Sequence, residues 1–135
     1  MAFDSAIPAL QEGIVGWATH VAANTARDGT GTVSTLLTAG ADGALFVRVE
    51  ALSKGTNPVS VLRLFFNNGS DPAVAANNSL QKEVKLPATV ATEIAALDPV
   101  TVEFNVYVPA GYKLNSCIGT AVTDGWQVTA RGRNL

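Results

Sequence analysis

Apolar and polar residues alternate along three segments of the chain, residues 44–52, 101–108 and 126–133. Alternation with a period of two is typical of a β-strand that buries one face and exposes the other. For the first segment, the face expected to be buried holds Leu45, Val47, Val49 and Ala51. These three segments are therefore predicted to be half-buried strands.

Further strand segments alternate less regularly but are rich in β-branched and apolar residues, namely residues 14–22, 33–38, 80–86 and 113–120. Clusters of Gly, Asn, Asp and Pro separate the segments and predict turns. Residues 88–97 have a helix-forming composition, but they lie between Pro87 and Pro99 and lack a good N-cap. We expect a loop or one short turn there.

Together these segments predict an all-β fold, a single-domain antiparallel β-sandwich that is jelly-roll-like and has about eight strands. The sandwich domain is expected to span residues 14–135. Residues 1–13 show no strand period and are predicted to form an N-terminal arm, which in an assembly protein would reach a neighbour.

Residues 59–66 differ from the other strands because both of their faces are apolar. This pattern indicates a central strand that must be covered twice, once by the opposite sheet and once by another element. The second cover is either a neighbouring subunit or a loop of the same chain. On the first alternative, Arg63, Phe65 and Phe66 are candidate subunit-interface residues.

The composition excludes some classes of protein. Hydrophobic residues make up 47% of the 135 residues and charged residues 15%, a balance that favours a folded chain over a disordered one. The net charge is −2 and the Lys and Arg residues are scattered along the sequence, so we expect no nucleic-acid partner. No apolar run approaches the ~18 residues of a spanning helix, and the first dozen residues lack the apolar stretch of a secretory signal. We therefore expect no membrane partner.

Residues that carry chemistry are few. His20 is the only histidine and Cys117 the only cysteine, so catalytic dyads or triads and zinc sites lack the usual set of ligands. The Gly-rich segments lack the lysine of a phosphate-binding loop and the ligand spacing of a calcium loop. We expect no enzyme activity, no cofactor and no metal, and we expect Cys117 to be a structural residue.

Most of the aromatic residues, Trp17 among them, fall at strand positions where core packing is expected. Tyr107 and Tyr112 are the better candidates for exposed binding residues, and Tyr112 flanks the turn Pro109-Ala110-Gly111. A carbohydrate-binding β-sandwich with these two tyrosines as its platform is therefore an alternative function.

An ordered series of turns and strands runs from about residue 33 to residue 133. Its members are Thr38-Ala39-Gly40-Ala41-Asp42-Gly43, Val47-Arg48-Val49, Gly55-Thr56-Asn57-Pro58, Val61-Leu62-Arg63-Leu64-Phe65-Phe66, Asn67-Asn68-Gly69, Leu86-Pro87-Ala88-Thr89, Val108-Pro109-Ala110-Gly111-Tyr112-Lys113-Leu114, Gly119-Thr120-Ala121-Val122 and Gly125-Trp126-Gln127-Val128-Thr129-Ala130. This series resembles small β-sandwich structural proteins in the virions of tailed bacteriophages. The C-terminus departs from the group, because the basic Arg131-Gly132-Arg133-Asn134-Leu135 replaces a Gly-Gly-Asp type ending.

The resemblance implies a capsid decoration or cement protein. Such a protein would be made in the host cytoplasm, would bind and stabilise neighbouring major capsid subunits on the virion surface, and would form a homotrimer, with Tyr107 and Tyr112 as further subunit-interface candidates. A tail, neck or fibre-associated virion protein is the alternative within the same resemblance.

Overall fold

The computed structural model describes residues 12–135, in which eight strands make up most of the regular structure. The strands are β1 (Glu12–His20), β2 (Ser34–Thr38), β3 (Ala44–Ser53), β4 (Ser60–Asn67), β5 (Asn78–Leu86), β6 (Val100–Val108), β7 (Lys113–Ile118) and β8 (Trp126–Asn134). One 3₁₀ turn, Ala75–Asn77, lies between β4 and β5. In this part of the chain, no helix has the length and apolar character needed to cross a membrane.

The strands form two antiparallel four-stranded sheets, a first sheet in the order β1-β8-β3-β6 and a second in the order β2-β7-β4-β5. The pairs β4–β5, β3–β6, β2–β7 and β1–β8 are those of one long hairpin whose turn joins β4 to β5. Rolling that hairpin adds the pairs β3–β8 and β4–β7, which is the connectivity of a jelly roll. The predicted all-β, jelly-roll-like sandwich is therefore confirmed.

The predicted strands agree with the structure to within a few residues. β4 is an inner strand of its sheet, as expected of a central strand, and residues 87–99 form a loop. β1 begins at Glu12, so Glu12 and Gly13 belong to the sandwich and not to the predicted arm. The other residues of the predicted arm, 1–11, lie outside the described residues.

The space between the sheets holds one hydrophobic core, to which both sheets contribute. Its largest fully buried side chains include Trp126, Phe46, Leu62, Leu64, Leu86, Leu114 and Ile118. Phe66 joins this core, with ring centroids 5.9 Å from Phe46 and 5.7 Å from Phe104. Burial of this apolar surface is the main force that holds the two sheets together.

A β-bulge changes the predicted faces of β3. The pairing of β3 with both of its neighbours shifts between Phe46 and Arg48. Because one extra residue reverses the alternation, Phe46 enters the core with Val49 and Ala51. The expectation that Leu45 and Val47 share the core face is therefore wrong.

The outer face of β4, which points away from the first sheet, is covered by residues 21–33, here called the covering segment. Arg27 of this segment forms an ion pair with Glu83 at 2.8 Å, and the Asp28 carbonyl accepts a hydrogen bond of 3.1 Å from the Asn78 side chain. In the register of β4 and β5, Glu83 is opposite Arg63 and Asn78 is opposite Asn67. The contacts of Arg27 and Asp28 with β5 therefore lie before and after the position of Phe65 along β4. Of the two alternatives for the second cover, the loop of the same chain is the one observed.

Gly29 allows the covering segment to lie this close to the sheet. Its φ of +79° is disfavoured for other residues, and an added Cβ would lie 2.7 Å from the Cβ of Asn78. Thr30 donates to the side chain of Asp28 through both its amide and its hydroxyl group, and these bonds hold the pKa of that carboxyl below its usual value. The segment is thus folded onto the sheet by its own turn.

Candidate interaction surfaces

The structure places the predicted subunit-interface residues in different environments. Phe65 is fully buried beneath the covering segment, and Arg63 is buried beside it. Phe66 and Tyr112 are half-buried against the core. Only Tyr107 is open to solvent, with 67% of its surface exposed. The prediction of an interface is therefore corrected for Phe65 and Arg63, because their own chain already covers them.

Arg63 has a structural role within the chain. Its Nε donates to a carboxylate oxygen of Glu83 at 2.9 Å, and Arg27 reaches the same oxygen. The hydrogen bond from Arg63, together with the charge of Arg27, holds the pKa of Glu83 below its usual value. The ion-pair network fastens the covering segment to β4 and β5.

The outer face of the first sheet exposes apolar side chains that the sequence assigned to the core. Trp17 on β1 is 66% exposed, and Val15 on the same face is also exposed. Their orientation follows from Gly16, where an added Cβ would overlap the carbonyl oxygen of Leu36 on β2. Since only glycine fits that close approach between the sheets, the larger neighbours of Gly16 point outward. The expectation that Trp17 packs in the core is wrong.

Three arginines meet on this same outer face. Arg131 and Arg133 lie two residues apart on β8, and Arg48 on β3 is the register partner of Arg131. All three are exposed. Arg131 contacts Glu50 at 3.5 Å, and Arg48 is paired in register with Glu103. The basic residues, scattered in sequence, are therefore clustered here, and the unusual C-terminal residues form an inner strand of the sheet.

Residues 87–99, here called the apolar loop, project from one end of the sandwich. Ile94 is 96% exposed and Val90 is 70% exposed. The loop also exposes four alanines and three polar residues: Ala88, Ala91, Ala95 and Ala96, with Thr92, Glu93 and Asp98. The loop was expected from its flanking prolines, but its exposure could not be read from the sequence, because a helix-forming apolar segment equally fits a buried element.

His20 is the last residue of β1, and its Nε2 is 2.7 Å from the hydroxyl oxygen of Ser116. The two residues link β1 of the first sheet to β7 of the second. Burial lowers the pKa of His20, and burial raises the pKa of the neighbouring Cys117 thiol. Because Ser116 is fully buried, the pair is a structural contact between the sheets.

Within residues 12–135, no three His, Cys, Asp or Glu side chains are grouped in a way that could hold a metal ion. Comparisons with protein families, with curated proteins and with solved structures found no match for this chain.

Proposed function

We propose that this chain is a structural protein of a tailed-bacteriophage virion, a capsid decoration protein that binds neighbouring major capsid subunits and performs no catalysis. Two features support the proposal. The series of turns and strands between residues 33 and 133 resembles such proteins, and the jelly roll is an architecture that viral capsid proteins use. Lectin domains share this architecture, so the fold alone does not choose the function.

The apolar loop is the observation that carries the proposal. Exposed large apolar side chains are unfavourable in water, and where they lie close together among polar residues they are typical of a surface that another protein covers. Val90 and Ile94 are large enough to enter pockets on a partner, and they are the most exposed aliphatic side chains of the described residues. Burial of each side chain would contribute about 1.5 to 3 kcal/mol before the costs of association.

The base of the apolar loop is held in place before any partner binds. Thr89 and Asn57 exchange backbone hydrogen bonds of 2.9 and 3.1 Å. The Thr89 hydroxyl also donates to the Gly55 carbonyl at 2.8 Å. An anchored loop loses less conformational entropy on binding than a free one, so this arrangement favours tight association.

The test is co-sedimentation of the purified chain with capsid shells assembled from the major capsid protein that the same genome encodes. We expect the double variant Val90→Asp and Ile94→Asp to bind at least about tenfold more weakly, since each change places a charge in the contact. Val74→Asp is the matched control, because Val74 is a half-exposed loop valine outside the apolar loop. Equal binding by the double variant and the wild type would refute the role of the loop.

Two further readouts test the remaining parts of the proposal. Light scattering after size-exclusion chromatography is expected to give a mass three times that of one chain, and the mass of a single chain would reject the homotrimer. Sedimentation with purified phage tails in place of shells tests the alternative location. Binding to tails and not to shells would replace the capsid assignment by a tail assignment.

A further inference from the structure

A groove of about 360 Å³ runs along the outer face of the first sheet, and neither Val90 nor Ile94 lines it. Its floor is formed by residues of β3 and β8, and its wall by the C-terminal end of the apolar loop. The lining residues are Glu50, Leu52, Leu97, Pro99, Gln127, Thr129 and Arg131. This volume lies in the range of about 300 to 1,000 Å³ that is typical of small-molecule sites.

Trp17 on β1 lies outside the lining of this groove but next to one of its residues. It is the register partner of Thr129 on β8, and directly opposite residues on one face of an antiparallel pair lie about 5 Å apart at Cβ. With 66% of its surface exposed, Trp17 presents its ring to solvent beside the groove. A flat, exposed indole offers an apolar face that suits the C–H face of a pyranose ring.

The floor of the groove supplies both hydrogen-bond donors and acceptors. Glu50 contributes carboxylate acceptors and Arg131 guanidinium donors, and the two groups are 3.5 Å apart. Thr19 donates to the side-chain oxygen of Gln127 at 3.0 Å. Because this oxygen faces Thr19, the side-chain amide nitrogen of Gln127 faces away from Thr19 and is available as a donor. Vicinal hydroxyl groups require this mixture, since each hydroxyl both donates and accepts.

We propose that this groove binds a neutral oligosaccharide, one ring of which stacks on Trp17 while its hydroxyl groups bond with Glu50, Gln127 and Arg131. The negative charge of Glu50 offsets the positive charge of Arg131, so the groove itself favours an uncharged ligand over an acidic one. The sequence offered Tyr107 and Tyr112 as an alternative platform, but Tyr112 packs against the core and neither tyrosine lines this groove.

The first experiment is affinity electrophoresis of the full chain in native gels that contain dextran, laminarin, soluble starch or galactomannan, with alginate as the acidic comparison. Retardation by one of the neutral polysaccharides and not by alginate is expected. Titration with the corresponding oligosaccharide then follows tryptophan fluorescence. Of the two tryptophans in the chain, Trp126 is fully buried, so a change in the emission would report on Trp17.

Variants distinguish stacking on Trp17 from nonspecific binding of polysaccharide. Trp17→Ala is expected to weaken binding at least about tenfold and Glu50→Gln by a smaller factor. Tyr107→Ala is the matched control, since Tyr107 is equally exposed but its register partner, Leu45, is not a groove residue. The thermal unfolding midpoint of each variant confirms that it is folded.

Several outcomes would overturn the inference. These are the absence of retardation by any of the neutral polysaccharides, retardation by alginate alone, and unchanged affinity in Trp17→Ala. If Trp17→Ala abolished binding to capsid shells while no polysaccharide bound, the face would be assigned to a protein partner instead.

Discussion

Replacement of Asn57 by leucine would remove the side-chain hydrogen bonds that link Asn57 to the end of β3 and to the segment before β8. The side-chain oxygen of Asn57 accepts hydrogen bonds from the amides of Asp124 and Gly125, at 2.7 and 2.9 Å. Its side-chain nitrogen donates to the hydroxyl of Ser53 and to the carbonyl of Gly125, at 2.8 and 2.9 Å. Leucine has a similar volume, so the variant removes these bonds without opening a large cavity.

The magnitude follows from the groups that lose their partners. A buried amide left without an acceptor costs about 1 to 3 kcal/mol. The Gly125 amide is in a buried contact and the Asp124 amide in a partly buried one. We therefore expect Asn57→Leu to lower the free energy of unfolding by about 3 kcal/mol, a large share of the about 5 to 15 kcal/mol of a typical domain.

Urea unfolding followed by the fluorescence of the buried Trp126 measures this change. Asn68→Leu is the matched control, since Asn68 is exposed and surface changes are usually within about 0.5 kcal/mol. The network also anchors the apolar loop through Thr89, so proteolytic cleavage within residues 88–97 is expected to be faster in Asn57→Leu. A loss of stability below about 1 kcal/mol, with unchanged cleavage, would refute the role assigned to the network.

Three other predictions concern the sandwich itself. Gly16→Ala should lower the free energy of unfolding by about 1 to 3 kcal/mol, because its Cβ would overlap the Leu36 carbonyl. Gly13→Ala is the control and should leave the free energy of unfolding unchanged, since its Cβ meets no atom within 4 Å. Equal urea midpoints for the two variants would contradict the close approach of Gly16 to β2. Phe65→Ala should lower the free energy of unfolding by about 3 to 5 kcal/mol through cavity formation and leave the light-scattering mass unchanged. A variant that is as stable as the wild type but no longer self-associates would show instead that Phe65 is an interface residue. The pKa of His20 is lowered from 6.5 in the folded chain because burial disfavours the imidazolium, so the unfolded chain binds the proton first. The contribution of His20 to the free energy of unfolding should be complete above pH 6.5 and should fall by up to about 1.4 kcal/mol per pH unit as the pH drops towards the folded pKa. The test compares urea midpoints at pH 7.5 and 5.5 for the wild type and for His20→Gln. An equal difference between the two pH values in both proteins would contradict the prediction.

The two proposed binding surfaces adjoin, because Leu97 and Pro99 of the apolar loop line the groove, but different side chains are proposed to make the two contacts. The apolar loop projects from one end, and the Trp17 groove occupies the outer face of the first sheet. Since the variants Val90→Asp and Trp17→Ala change exposed residues, each activity can be removed without unfolding the chain. Capsid binding and saccharide binding can therefore be measured independently on the same preparation.

The amino-acid sequence by itself determined the strands. Alternation along residues 101–108 and 126–133 is a local consequence of burying one face, so it can be read without knowing what covers that face. The segments match β6 and β8, Val100–Val108 and Trp126–Asn134. The positions of the strands, together with the Gly, Asn and Pro turns between them, were enough to predict the class of fold.

Tertiary structure decided which residues lie together on each surface. The cover over Phe65 depends on contacts between the segment of residues 21–33 and the distant β5, and the arginine cluster depends on pairing Arg48 with Arg131. Which side of β1 faces outward depends on the close approach of Gly16 to β2. Alternation indicates the buried face of a regular strand such as β8, but it fails at the bulge of β3, and only long-range packing determines which residues meet on a face.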